Sequence, residues 1–279
     1  MGLDQRGRIA VAQLVIYIPF LAVSTLLVVR HGFNRRAGWL LLLITSIIRI
    51  VGSAIHIAEE QRSTPSIGLI ATYTTLEAAG LSPLLIATLG FLSTVAQGSF
   101  DTIPLVTRGL RLLGLLGTVA LALSIAAGSE LGSANTQSDV DQATKLRHVG
   151  AILFAVLYGL IVLAHGYFYM GFSRIRQHRR NLLLGISVAI PFLFVRVLYA
   201  VLSGFSPASI PGQTQPHGSL SKFSSQTGSW EIYLVMSVLM EIIVMLVYIT
   251  VGLSIRLQDD DLKNDVEMTP PSQGYGRQY

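Results

Sequence analysis

Residues 9–29 read Ile-Ala-Val-Ala-Gln-Leu-Val-Ile-Tyr-Ile-Pro-Phe-Leu-Ala-Val-Ser-Thr-Leu-Leu-Val-Val, an uncharged run that ends at Arg30. At 1.5 Å of rise per residue, a helix of about 20 such residues crosses the roughly 30 Å hydrocarbon layer of a bilayer. This run is too long for the apolar core of a signal peptide, and no small-residue cleavage site closes it, so it reads as a first membrane span. The same pattern recurs at Gly38–Ala58 (one Arg, one His), Ile67–Ala96 (one Glu), Leu112–Gly128 (uncharged), Val149–Phe172, Leu182–Gly204 and Glu231–Ile255. The strict alternation that marks barrel strands is absent. The expected fold is therefore all-α: a polytopic membrane protein with seven transmembrane helices in one bundle over residues 1–257, and a disordered cytosolic tail over 258–279.

Composition agrees. Of 279 residues, 51% are hydrophobic and only 13% charged, with a mean hydropathy of +0.59. A soluble domain carries about 25% charged residues. A soluble enzyme, a disordered chain and a nucleic-acid-binding module are thereby excluded, and the net charge of +5 has to be explained by topology. With seven spans, one face receives Arg30, Arg35, Arg36, Arg108, Arg111, Arg174, Arg176, Arg179, Arg180, Arg256, Lys263 and Arg277. The other receives Arg6, Arg8, Arg62, Lys145, Arg147 and Lys222. Positive charge concentrates on cytoplasmic loops, which predicts a non-cytosolic N-terminus and a cytosolic C-terminus in a multi-pass protein of the endoplasmic reticulum. The connections Gly128–His148 and Phe205–Trp230 are polar and read as solvated loops on the non-cytosolic face. There is no cysteine, so disulfides, thiolate metal sites and cysteine nucleophiles are ruled out.

Function in such a chain is sought among ionisable residues at membrane depth, where each is costly. Arg49 lies in the second span with His56 two turns further along the same face. Glu77 lies in the third span, His165 in the fifth, Arg196 in the sixth and Glu241 in the seventh. Counted along the helices, Arg49, Glu77, Arg196 and Glu241 share one depth on four spans. They read either as two ion pairs that tie the bundle together or as a functional cluster. Tyr73, Gly80 and Leu84 share the face of Glu77, and Met245 and Tyr248 share that of Glu241, surroundings in which a carboxyl tends to keep its proton. His165, near Tyr158 and Tyr169, reads as an interhelical hydrogen-bonding residue or as a ligand. Pro83 and Pro191 lie inside spans and are expected to kink their helices.

Several seven-helix functions are excluded by what is missing. The three lysines (Lys145, Lys222 and Lys263) lie outside the spans, so no retinal Schiff base can form. The third span ends Leu92-Ser93-Thr94-Val95-Ala96-Gln97 without an acid–Arg–Tyr switch, and the seventh lacks Asn-Pro-x-x-Tyr. No span places His or acid residues at zinc-ligand spacing, and the run Asp259-Asp260-Asp261 sits in the polar tail, so no metal site and no cofactor is expected.

The stretches Gly38-Trp39-Leu40 through Arg49, Glu77-Ala78-Ala79-Gly80-Leu81-Ser82-Pro83-Leu84, and Asn181-Leu182-Leu183-Leu184-Gly185 through Arg196-Val197-Leu198-Tyr199 resemble fungal seven-helix membrane proteins of secondary-metabolite clusters. In particular they resemble the integral-membrane terpene cyclases of the macrophorin and ascofuranone type. The resemblance implies a metal-independent cyclase that protonates an epoxide or alkene of a farnesylated aromatic (meroterpenoid) substrate inside an apolar cavity. On that reading Glu77 and Glu241 supply the proton donor and its partner or terminal base. Arg49 and Arg196 set charge or grip a polar head group, and Tyr73, Tyr199 and Tyr248 wall the developing cation. The alternatives are a small-molecule or lipid exporter and a receptor-like protein without catalysis.

Overall fold

The computed structural model describes residues 3–31, 38–64, 66–97, 103–134, 136–175, 177–207, 218–225 and 227–255. The tail beyond 255, where disorder was expected, lies outside them, as do residues 208–217 and 226 of the expected loop 205–230. The described residues form α1 (Gln5–His31), α2 (Trp39–Glu60), α3 (Ile67–Ala79), α4 (Leu81–Ala96), α5 (Pro104–Ser133), α6 (Gln137–Met170), α7 (Gln177–Gly204), α8 (Trp230–Tyr233) and α9 (Met240–Ser254), with a π-helical segment, Leu234–Leu239, joining α8 to α9. Among the described residues there is no strand. Seven crossings are long and apolar enough to span a membrane, the third made of α3 and α4 and the seventh of α8, the π segment and α9. The all-α, seven-helix expectation holds.

The third crossing breaks at Gly80 because Pro83 cannot donate to the carbonyl four residues back, and its ring crowds that carbonyl. The expected loop Gly128–His148 is instead almost wholly helical. α5 continues to Ser133, and α6 begins at Gln137. Thr136 caps α6: its side chain accepts from the Asp139 N–H at 3.3 Å, and the Asp139 carboxylate accepts from the Thr136 N–H at 2.9 Å. That reciprocal pair satisfies two of the otherwise orphaned N–H groups, so the polar sequence extends the helix past the apolar zone rather than ending it. Hydropathy marks the part of a helix that meets lipid, not where the helix stops.

α4 lies at the centre. Thirteen of its residues are buried, from Leu81 to Ala96, against α2, α5, α6 and α7. The outward faces carry large apolar side chains in the open: Val29 is 71% exposed, Leu163 69% and Met170 82%. In water such faces would be a liability; against acyl chains they are the solvated surface. The hydroxyls of Thr25, Thr45, Ser46, Thr88, Thr94 and Ser124 donate to carbonyls four residues back, so they carry no unpaired donor into the apolar layer. Gly38, with φ of +72°, starts α2 in the left-handed region, and a Cβ there would lie 2.7 Å from the Ala87 carbonyl.

Seven crossings place Asp4, Glu60, Ile67, Ser133, Gln137, Gly204 and Trp230 at one end of the bundle, the end that carries the N-terminus. The segment there is held by arginines. Arg6 donates to the carbonyls of Ser224 (3.4 Å), Gly228 (2.6 Å) and Ser225, and Arg147 donates to those of Gly204 (2.9 Å) and Ser206. Both use fixed cations to satisfy carbonyls that no helix pairs, one set at the C-terminus of α7.

Candidate functional site

Counted from that end at 1.5 Å per residue, Arg49 on α2, Glu77 on α3 and Glu241 on α9 lie about 15 Å deep and Arg196 on α7 about 12 Å. The structure brings all four together. Arg49 grips Glu241 with both arms of its guanidinium: Nε donates to Oε1 at 2.5 Å and Nη2 to Oε2. The Tyr17 hydroxyl of α1 donates to Oε1 at 2.9 Å, and Arg196 Nε donates to Oε2 at 3.3 Å. Arg196 Nη2 also reaches the backbone carbonyl of Glu77 at 3.4 Å. Glu241, Arg49 and Arg196 are buried to within a few per cent. A carboxylate so enclosed by two guanidiniums and a phenol is an ionised, fully satisfied anion.

Small details of sequence make the cluster possible. A Cβ on Gly80 would lie 2.9 Å from the Arg49 guanidinium, so the glycine lets that flat group rest on the backbone at the α3–α4 break. The π-helical segment ends just before Glu241, and one-turn π-helices are common at functional sites because they re-aim the next side chains. Ser237 of that segment faces the cavity described next.

Glu77 differs from Glu241. It is only partly buried and lines two cavities at once. The larger, about 120 Å³, lies between α3, α5, α6, α7 and the π segment. Its deep end is formed by Glu77, Arg196, Tyr199 and Ser237, and its outer end by Gly128, Arg147, Pro207 and Ser224. Small residues (Ala78, Ala127, Ala151, Ala200, Gly204) make the room, and Phe154 and Leu131 supply apolar wall. Tyr199 is 4% exposed and its hydroxyl has no partner among the described residues. A buried orphan donor on a cavity wall is a place where a ligand or water would be hydrogen-bonded. The smaller cavity, about 20 Å³, is bounded by Gln13, Arg49, Gly52, Ser53, His56, Tyr73, Glu77 and Tyr233.

Of the residues picked from sequence, Arg49, Glu77, Arg196, Glu241, Tyr73 and Tyr199 therefore converge. Two do not. Tyr248 is wholly buried in the other half of the bundle, its hydroxyl 2.7 Å from that of Thr88 and its ring against Phe91, and it lines neither cavity. Seven residues past Glu241 is two turns, or about 10 Å, deeper along the axis, which takes it out of the site. His165 faces Ser187 of α7, Nε2 to Oγ at 3.0 Å, and ties α6 to α7. The interhelical reading of His165 stands in place of a role at the site. Tyr17 and Tyr233 were missed, because both sit beyond the charged positions on which a search for intramembrane ions fixes. The legible sign of Tyr17 was the buried polar stripe Gln13–Tyr17–Ser24 within the uncharged run 9–29.

The fold and the site define a class: a seven-crossing helical membrane protein with a satisfied Arg–Glu–Arg cluster beside a polar cavity. Residues 3–258 match the family described as Domain of unknown function (DUF7702), and the chain belongs to that family. No curated protein and no solved structure matches the chain. Among the described residues no group of His, Asp or Glu side chains is disposed to hold a metal ion.

The orphan hydroxyl gives the first prediction. Tyr199→Phe removes a donor that has no partner, so thermal unfolding in detergent should show stability unchanged or raised by up to about 1 kcal/mol. A clear loss of stability would mean that the hydroxyl is paired within the protein.

Proposed function

We propose that this protein binds an amphipathic small molecule at membrane depth and passes a proton to it from Glu77. The observation that carries the reading is that Glu77 is the carboxyl that lines the larger cavity, while Glu241 is locked between two arginines. Charge completes it. Two arginines and ionised Glu241 leave one net positive charge, which an ionised Glu77 would cancel. While Glu77 holds its proton, the site presents that positive charge to an electron-rich or anionic group. Once the proton has moved to the ligand, the cluster is neutral again.

The chemistry that uses such a group most directly is protonation-initiated cyclisation of a farnesylated aromatic substrate, in keeping with the resemblance noted in the sequence. Glu77 would protonate an epoxide oxygen or an alkene carbon; the C–O bond or π-bond opens; ring bonds form along the chain; and a carbon-bound proton returns to a base. The product is an isomer of the substrate. Arg49, Arg196 and Glu241 set the charge, with Tyr199 as a wall, while Tyr73 lines the smaller cavity instead. The test is incubation of membranes containing the protein with a farnesylated phenol, with and without a terminal epoxide. Cyclised product of unchanged mass is expected, and absence of turnover on both would rule the cyclase out.

One observation favours the second reading, an exporter of small amphipathic molecules. The larger cavity is hydroxyl-lined and about 120 Å³, whereas sites that enclose a whole drug-sized ligand run from roughly 300 Å³ upward. It fits a head group better than a whole prenylated aromatic. Proton-dependent efflux from proteoliposomes without chemical change in the cargo would select this reading. Orientation belongs to the same proposal. The Lys/Arg asymmetry supports a non-cytosolic N-terminus in what we read as an endoplasmic reticulum protein, so a C-terminal reporter should be active on the cytosolic side alone. Activity confined to the lumen would reverse the topology.

A further inference from the structure

A proton donor buried about 15 Å from the end of the bundle needs a source. Between Glu77 and that end lies an ordered series of titratable groups, none of them part of the Arg–Glu cluster. Asp4 and Glu60 meet at the surface: the Asp4 N–H donates to Glu60 Oε1 at 3.2 Å, and Asp4 Oδ1 accepts from the Gly7 N–H at 2.8 Å. The other oxygen of Glu60 is buried and rests over Gly7, where a Cβ would collide with it. A hydrogen bond from Glu60 holds the Asp4 carboxyl below its ordinary value. Two carboxyls this close cannot both be ionised cheaply, so the pair is suited to hold one proton between them.

His56 lies one turn, about 6 Å, further in along α2. Its ring stacks on Tyr73 of α3, with centroids 4.1 Å apart and planes 4° from parallel. Beneath it is the 20 Å³ cavity, large enough for one water molecule and lined by both His56 and Glu77. The charged and titratable groups that face His56 are Asp4 and Arg6 from α1, Arg49 from its own helix, and Tyr73, Glu77 and Tyr233 across the cavity. Arg6 is committed to the carbonyls of the Ser224–Gly228 turn and lies over the Tyr233 ring at 5.7 Å. It therefore acts as a fixed charge rather than a mobile one.

We propose that Asp4, Glu60, His56 and the water-sized cavity below His56 form a proton path that reloads Glu77 from the membrane face carrying the N-terminus. The inference rests on Glu77 as the proton donor. Each step moves one proton and no electrons. The Asp4–Glu60 pair, whose Asp4 member faces His56, passes a proton to the imidazole and regains one from bulk water. The imidazolium passes its own through the cavity water to the Glu77 carboxylate. The path reaches Glu77 through the smaller cavity and not through the ligand cavity, so refilling does not require the ligand to leave.

The test reads Glu77 itself. The infrared carbonyl band of protonated Glu77 is identified in proteoliposomes by its loss in Glu77→Gln, and its shift is followed after mixing into D2O. In His56→Phe, which keeps an aromatic ring against Tyr73, exchange should slow by about 100-fold, the low end of what a positioned proton carrier supplies. Glu60→Gln should slow it as well. In His56→Ala, imidazole added to the buffer should restore the rate, a response that a packing role would not give. Exchange in His56→Phe at the wild-type rate would overturn the path while leaving Glu77 as donor. A wild-type protein with no Glu77 band at any pH would overturn both.

Discussion

Glu241→Gln should cost about 3–5 kcal/mol and sharply reduce the amount of folded protein in the membrane, because it strands two buried guanidiniums. Arg49 and Arg196 both donate to that carboxylate, and both are buried to within a few per cent. Glutamine keeps the shape and can still accept from Tyr17, but it removes the anion to which both guanidiniums donate. Thermal unfolding in detergent and protein level in membranes check the expectation. The complementary variant sharpens it. Replacing Glu241, Arg49 and Arg196 together by apolar residues of similar volume should recover much of the lost stability, since a buried ionic cluster and a well-packed apolar one are often close in free energy. If Glu241→Gln alone folds as well as the wild type, the ion cluster is not what joins α2, α7 and α9.

The seven crossings were legible because lipid imposes one requirement on every span: about 20 apolar residues without unpaired backbone. The shared depth of Arg49, Glu77, Arg196 and Glu241 was legible for the same reason, since residue counts along helices translate into depth. Which acid pairs with which arginine was not. That depends on helix rotation and neighbour choice, set by contacts such as α7 against α9 and α1 against α2 that a single periodic pattern does not encode. The two glutamates looked equivalent in sequence, each about ten residues into its span. They diverge because Arg49 lies over Gly80 and turns to Glu241, while Glu77 one turn earlier faces the cavities. Tyr248 misled for a related reason: sharing a helix face with Glu241 fixes direction but not depth. The ends of α5 and α6 were misread because polar residues at a membrane boundary look alike whether they continue a helix or leave it. There the capping pair Thr136–Asp139 was the sign that hydropathy overlooked.

Glu77→Gln should separate chemistry from structure in the way that Glu241→Gln cannot. The Glu77 side chain holds no arginine directly; Arg196 reaches its backbone carbonyl, which the substitution leaves in place. Folding and membrane level should therefore stay close to wild type, with a change in thermal stability of no more than about 1 kcal/mol. On the proposed cyclase reading, turnover of a farnesylated phenol should fall by at least about 100-fold, because glutamine preserves size and hydrogen bonding but has no proton to give. If the protein is instead a proton-coupled exporter, the same variant should bind cargo but lose its dependence on the pH gradient. A pure scaffold predicts the opposite pairing: protein level would fall in step with activity, as an ionised Glu77 would be the second counter-charge to Arg49 and Arg196. Full activity at full protein level would remove Glu77 from the mechanism, and with it the reason for a polar cavity to meet a carboxyl at the centre of the membrane.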